Sequence, residues 1–136
     1  MEIKELTRAE EQIMQVLWQL EKGYVKDVID LLPLPKPAYN TVSTIIRILE
    51  TKGFVSHTAH GKSHEYYPVI SKEQYQNFAT DKLMSGYFDN SVKRVFSYFV
   101  KKEKIDLKEA DEILKLIEKV FIKIKRALLI MPFSIS

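Results

Sequence analysis

The chain has 136 residues, 46% of them apolar and 29% charged, which suits one domain or a small domain with an appendage and excludes a disordered segment. It contains no cysteine, so disulfides, thiolate metal sites and a cysteine nucleophile are excluded. The net charge of +3 is unevenly placed: residues 1–35 carry −3, residues 36–68 carry +2 and residues 69–104 carry +3, a balance consistent with a polyanion partner.

The opening Met1-Glu2-Ile3-Lys4-Glu5 is charged, and no stretch reaches the roughly 20 apolar residues of a membrane span. A cytoplasmic location is expected. Thr7 followed by Glu10 forms a capping box that opens a first helix. Ile13, Leu17 and Leu20 make its buried stripe, flanked by Met14, Val16 and Trp18, and Gly23 is expected to end it. A short second helix is expected around Lys26–Leu32. Pro33-Leu34-Pro35-Lys36-Pro37 then forces an extended linker.

Residues 39–53 read as a third helix with two different faces. Val42, Ile45, Ile46 and Leu49 recur at three- and four-residue steps and point into a core. Asn40, Ser43, Thr44 and Arg47 lie opposite. These are short hydrogen-bonding side chains with one guanidinium fork, a set that meets base edges and phosphates in a major groove. A solvated face normally carries more Glu and Lys. Asn40 has a second reading as a helix cap, and Thr41 suits packing or a phosphate contact.

Two extended runs follow, Phe54–His60 and His64–Val69, joined by Gly61-Lys62-Ser63. Pro68 suits the end of an edge strand. Three helices and a hairpin, in that order, predict a winged helix-turn-helix domain over residues 1–70. Lys36, Thr41, Lys52, His60 and Lys62 are the candidate phosphate contacts. The spacing of His57, His60 and His64 invites a zinc site, but three histidines on a hairpin without cysteine or a fixed fourth ligand make a poor one. No metal or other cofactor is expected.

Residues 71–136 read as helices. Ser71 with Gln74 makes a second capping box. Gly86 is expected to interrupt the helix that follows, and Asp89-Asn90-Ser91 to start another. Asp106 with Glu109 makes a third box and opens a last helix, striped by Leu107, Ala110, Leu114, Ile117 and Phe121. Thin helices this rich in apolar side chains are expected to bury themselves against a second copy, with Phe96, Phe99, Leu114, Ile117 and Phe121 in the interface; the alternative is that they fold back on the first domain. The end, residues 121–136, is basic and then apolar.

The chain has no phosphate-cradling glycine loop, nucleophile elbow or paired acid and base, so no enzyme is expected, and no catalytic residue or small-molecule substrate is assigned. A winged helix that binds only protein is the alternative; it would lack salt-dependent affinity for DNA.

Several motifs resemble those of the BlaI/MecI/CopY family of bacterial repressors over roughly residues 5–120. They are Leu6-Thr7-x-Ala9-Glu10-x-x-Ile13-Met14-x-x-Leu17-Trp18, Asn40-Thr41-Val42-x-Thr44-x-Ile46-x-x-Leu49-x-x-Lys52-Gly53-Phe54-Val55, Tyr66-Tyr67-Pro68 and Phe99-Val100-x-Lys102-Glu103. The resemblance implies a mostly α homodimeric repressor with a small β-hairpin, bound to a dyad operator in double-stranded DNA and controlling antibiotic-resistance or envelope genes. It also implies a membrane metalloprotease sensor that triggers cleavage, here at Tyr98–Phe99. Relatives commonly carry Asn where Tyr98 stands, and often Arg where Ile48 stands. The cysteine motif of the copper-responsive branch is absent.

Overall fold

The computed structural model describes residues 2–130, so the last six residues of the basic and apolar end lie outside the description. Among the described residues, the order is α1 (Arg8–Leu20), α2 (Val25–Leu31), α3 (Tyr39–Thr51), β1 (Val55–His60), β2 (Ser63–Pro68), α4 (Lys72–Tyr87), α5 (Val92–Lys101) and α6 (Leu107–Ile130). The chain divides into two compact units after Gly86. The first therefore includes nearly all of α4 and extends past the expected boundary at residue 70.

The core of the first unit is built from one face of each helix. Ile13, Met14 and Leu17 of α1, Val28 of α2, and Val42, Ile46 and Leu49 of α3 are buried. Ile45 packs against them half-buried. Phe54 closes the cluster where α3 gives way to β1. Its carbonyl accepts from the Val69 and Ile70 amides (2.7 and 3.3 Å), which brings both ends of the hairpin onto one residue. Cores packed this tightly lose about 2–5 kcal/mol when such a side chain is cut to alanine.

The α1 capping box forms as expected. The Glu10 amide donates to Thr7 Oγ1 (3.2 Å) and the Thr7 amide donates to Glu10 Oε1 (2.8 Å). The helix ends sooner than Gly23, however. Glu21 is its C-cap, with φ +69°, and its amide closes on the Leu17 carbonyl. Gly23 instead pairs with Tyr66 in a two-way bridge, N–H to carbonyl at 2.9 and 2.8 Å. The hairpin is thereby joined to the segment between α1 and α2. A side chain at Gly23 would crowd Leu20 at 3.2 Å.

β1 and β2 are antiparallel, with Val55 opposite Pro68 and His60 opposite Ser63. The turn is only Gly61-Lys62, one residue shorter than expected. Gly61 has φ +64°, as the first position of a primed hairpin turn requires. Three helices and this hairpin make the first unit a winged helix-turn-helix.

α4 begins with the Ser71–Gln74 box, both hydrogen bonds present. Its Tyr75 is buried, and the Leu6 amide donates to its hydroxyl (3.0 Å). Gly86 does not interrupt the helix, which runs on to Tyr87. The break falls at Asp89 and Asn90, which take φ +49° and +58°, residue types that tolerate this conformation. Ser91 caps α5 by accepting from the Arg94 amide (3.2 Å). Asp106 accepts from the Glu109 amide (2.8 Å) at the start of α6. In the second unit no described side chain is buried. Its apolar faces are open, with Phe96, Phe99, Leu114, Ile117 and Phe121 all exposed.

Candidate nucleic-acid interface

α3 is amphipathic across its whole length. Burying Val42, Ile46 and Leu49 forces the opposite side outward, and Asn40, Thr41, Thr44 and Arg47 are exposed there. Ser43 is half-buried at the edge of this strip. Asn40 is not the cap of the helix. The N-cap is Ala38, with no side-chain hydrogen bond, so the Asn40 amide is not spent on capping. The first turn carries no carboxylate. Arg47 makes one long bond, Nε–H to the Ser43 carbonyl at 3.5 Å. The exposed strip also holds Ile48 and Thr51.

Arg47 and Ser43 continue into a cleft of about 650 Å³ between α3, the start of α2 and the hairpin, lined also by Tyr24, Lys26, Tyr39, His60, Lys62 and His64. Three permanent cations thus face one groove. Tyr24, Lys26 and Tyr39 were not legible as site residues, because their place beside the hairpin follows from the Gly23–Tyr66 bridge and not from any local pattern. Two carboxylates nearby are each paired with a histidine ring. Glu50 binds His57 Nδ1 (2.6 Å), and Glu65 lies 3.3 Å from His60 Nε2. His57 stacks on His64 with ring centres 4.0 Å apart. Burial, and then the Glu50 carboxylate, push the Tyr66 hydroxyl above its ordinary value against the pull of Arg47, keeping it a neutral donor.

The five expected phosphate contacts separate into two groups. Lys62 stands exposed at the hairpin tip, His60 is exposed and lines the groove, and Thr41 is exposed on α3. Lys36 and Lys52 are engaged within the protein. Lys36 Nζ donates to the carbonyls of Ile29, Asp30 and Leu32 (2.9, 2.8 and 2.7 Å), where it satisfies the C-terminal end of α2. Lys52 Nζ lies 2.7 Å from Glu10 Oε1. Burial pushes the Glu10 carboxyl up, but Lys52 and the Thr7 hydrogen bonds outweigh it and hold the group below the ordinary carboxylate value. Both lysines thus have partners inside the protein, whereas Lys62 and Lys26 line the groove.

The expected cleavage bond, Tyr98–Phe99, lies inside α5. The Tyr98 ring packs edge-on against Phe88 at 5.8 Å between centres.

The sequence profile of the penicillinase repressor family matches residues 6–119, most of the chain. The chain belongs to the penicillinase repressor family. The motifs at Leu6–Trp18 and Asn40–Val55 are thus part of a relationship that runs through both units. Membership places the chain in a family of repressors. Within the penicillinase repressor family, the methicillin resistance regulatory protein MecI of Staphylococcus aureus is 21% identical over 116 residues, 85% of this chain and 94% of that protein. The penicillinase repressor of Bacillus licheniformis is 20% identical over 117 residues, 85% of this chain and 91% of its own. The DNA-binding domain of the repressor BlaI, solved in solution, shares 27% identity with a TM-score of 0.48, covering 54% of this chain and 92% of that domain. Among the described residues no helix is long and apolar enough to cross a membrane.

Proposed function

We propose that this chain is a homodimeric transcriptional repressor that lays α3 in the major groove of a dyad operator. The observation that carries the proposal is the outward strip of α3. Asn40, Thr44 and Arg47 are exposed, the first turn of α3 carries no carboxylate, and the strip runs into a cationic groove that ends at Lys62. Asn40, Ser43, Thr44 and Arg47 read bases. Thr41, Lys26, His60 and Lys62 meet the sugar-phosphate backbone.

The second copy is supported by α6. Ala110, Leu114, Ile117, Phe121, Ile124 and Leu128 follow one another at steps of four, three, four, three and four. That is the seam of a left-handed coiled coil, and from Leu114 onward all of these side chains are more than half exposed. A seam of large apolar side chains facing water is unstable as a monomer surface. It also continues past residue 119, where the family match stops. Pairing through α5 and α6 sets the two recognition helices about one turn of DNA, or a multiple, apart. Derepression by a membrane metalloprotease sensor belongs to the same reading. A cut at Tyr98–Phe99 separates α6 from the winged helix, and α5 must unwind for a protease to take the bond as an extended substrate.

The test is binding of fluorescent duplexes by the full-length protein, selected from a randomised library. Log affinity should fall linearly with log salt, by several orders of magnitude per tenfold change. Arg47→Ala should cost about 1–3 kcal/mol on the selected duplex and relax preference at one base pair. Salt-independent binding, or an Arg47→Ala protein unchanged on selected and random duplexes alike, would leave the protein-only alternative.

A further inference from the structure

Ile48 is an exposed aliphatic side chain in the middle of the strip that faces DNA, and the core gives no reason for it. It is 43% exposed, while Val42, Ile46 and Leu49 on the same helix are fully buried. Asn40, Thr44 and Ile48 form one row at four-residue steps, so they address successive positions along whatever the helix lies against. Arg47 and Thr51 form the neighbouring row. Thr44, Arg47, Ile48, Thr51 and Lys52 surround a shallow hollow. Thr51 donates its hydroxyl proton to the Arg47 carbonyl (3.1 Å), and Lys52 is turned to Glu10, so neither offers a free charged donor to that hollow. What remains is a small apolar surface beside one guanidinium. A β-branched residue on an exposed helix face also forgoes the better helix propensity of Lys or Glu, with no burial to offset it.

The edges of the base pairs in a major groove offer one apolar group, the C5-methyl of thymine. We infer that Ile48 is the specificity-determining contact for a thymine methyl in each half-site, next to the base read by Arg47. The inference rests on the DNA-binding reading above and adds the base that Ile48 selects.

The experiment uses the full-length protein and the duplex it selects from an amplified library, which carries no 5-methylcytosine. Each thymine is replaced in turn by deoxyuridine, symmetrically in both half-sites, removing the methyl and nothing else. One replacement should weaken binding about fourfold per half-site, the factor that corresponds to one buried methyl(ene) group at about 0.8 kcal/mol. Ile48→Ala, a surface change that leaves the core intact, should lose a similar factor on the thymine duplex and then be indifferent to deoxyuridine at that position. Arg47→Ala should keep the sensitivity to deoxyuridine. If the wild type tolerates deoxyuridine at every position, or if Ile48→Ala keeps the same sensitivity, the assignment of Ile48 is overturned while DNA binding stands. Failure to select any preferred duplex overturns the DNA-binding reading itself.

Discussion

Replacing Lys52 with methionine separates a structural lysine from a DNA anchor. Methionine keeps much of the stem and removes the ammonium. The Lys52 side chain is 24% exposed and its partner Glu10 only 6%, so the variant strands a carboxylate that water cannot fully reach. Losing a fully buried partner costs about 3–5 kcal/mol. The partial exposure of Lys52 and the surviving Thr7 hydrogen bond at 2.8 Å reduce that to about 1–3 kcal/mol. For a unit of this size each kcal/mol moves Tm by about 4–8 °C. The pH dependence has a definite sign. Glu10 is held below the ordinary carboxylate value of 4.5 when folded, so its contribution is present above that value and lost as pH falls through the lower folded one. The Lys52→Met deficit should therefore be full at neutral pH and shrink below about 4.5 as Glu10 protonates in both proteins. Urea unfolding of both proteins at one concentration, at neutral pH and again in acid, measures it. The salt slope of DNA binding should not change. A variant as stable as the wild type at neutral pH, with a slope lowered by about one, would return Lys52 to the phosphate backbone and refute the structural role.

Lys62→Ala should do the opposite, leaving stability unchanged and lowering the salt slope by about one on any duplex, as read by anisotropy titrations across salt. Tyr75→Phe removes the acceptor for the buried Leu6 amide and should cost about 1–3 kcal/mol in urea unfolding, without changing the oligomeric state. Ile117→Glu puts a charge into the α6 seam. It should convert the protein to a monomer in sedimentation, preserve the unfolding signal of the winged helix, and weaken operator binding because the half-sites no longer act in one complex.

What the sequence disclosed was local. Thr7 with Glu10 and Ser71 with Gln74 are pairs three residues apart, and their hydrogen bonds formed as the spacing indicates. The faces of α3 followed from its period, and the hairpin from β-branched and aromatic residues around Gly61. What stayed hidden was made by contacts distant in sequence or by carbonyls that no side-chain pattern announces. Lys52 meets Glu10 across 42 residues. Lys36 finds three carbonyls because the proline linker turns it back over the end of α2. Gly23 looked like a helix terminator because glycine often is one; its actual partner, Tyr66, lies on the hairpin. Gly86 suggests a break, yet nothing crowds it and the helix continues through it. Ile48 stood out only as a departure from its relatives; its exposure beside Thr44 and Arg47 needed the packed neighbours to show which side of the helix is already full.

The Gly23–Tyr66 bridge has a bearing on how such a switch is thrown. Together with the Glu50–His57 pair and the Phe54 carbonyl, it fastens reading helix and wing into one stiff tool. A stiff tool cannot be loosened by flexing its own parts. Under the repressor function proposed above, release of the gene would come from changing how two copies are held together, and this leaves α5 and α6 as the place where a signal has leverage.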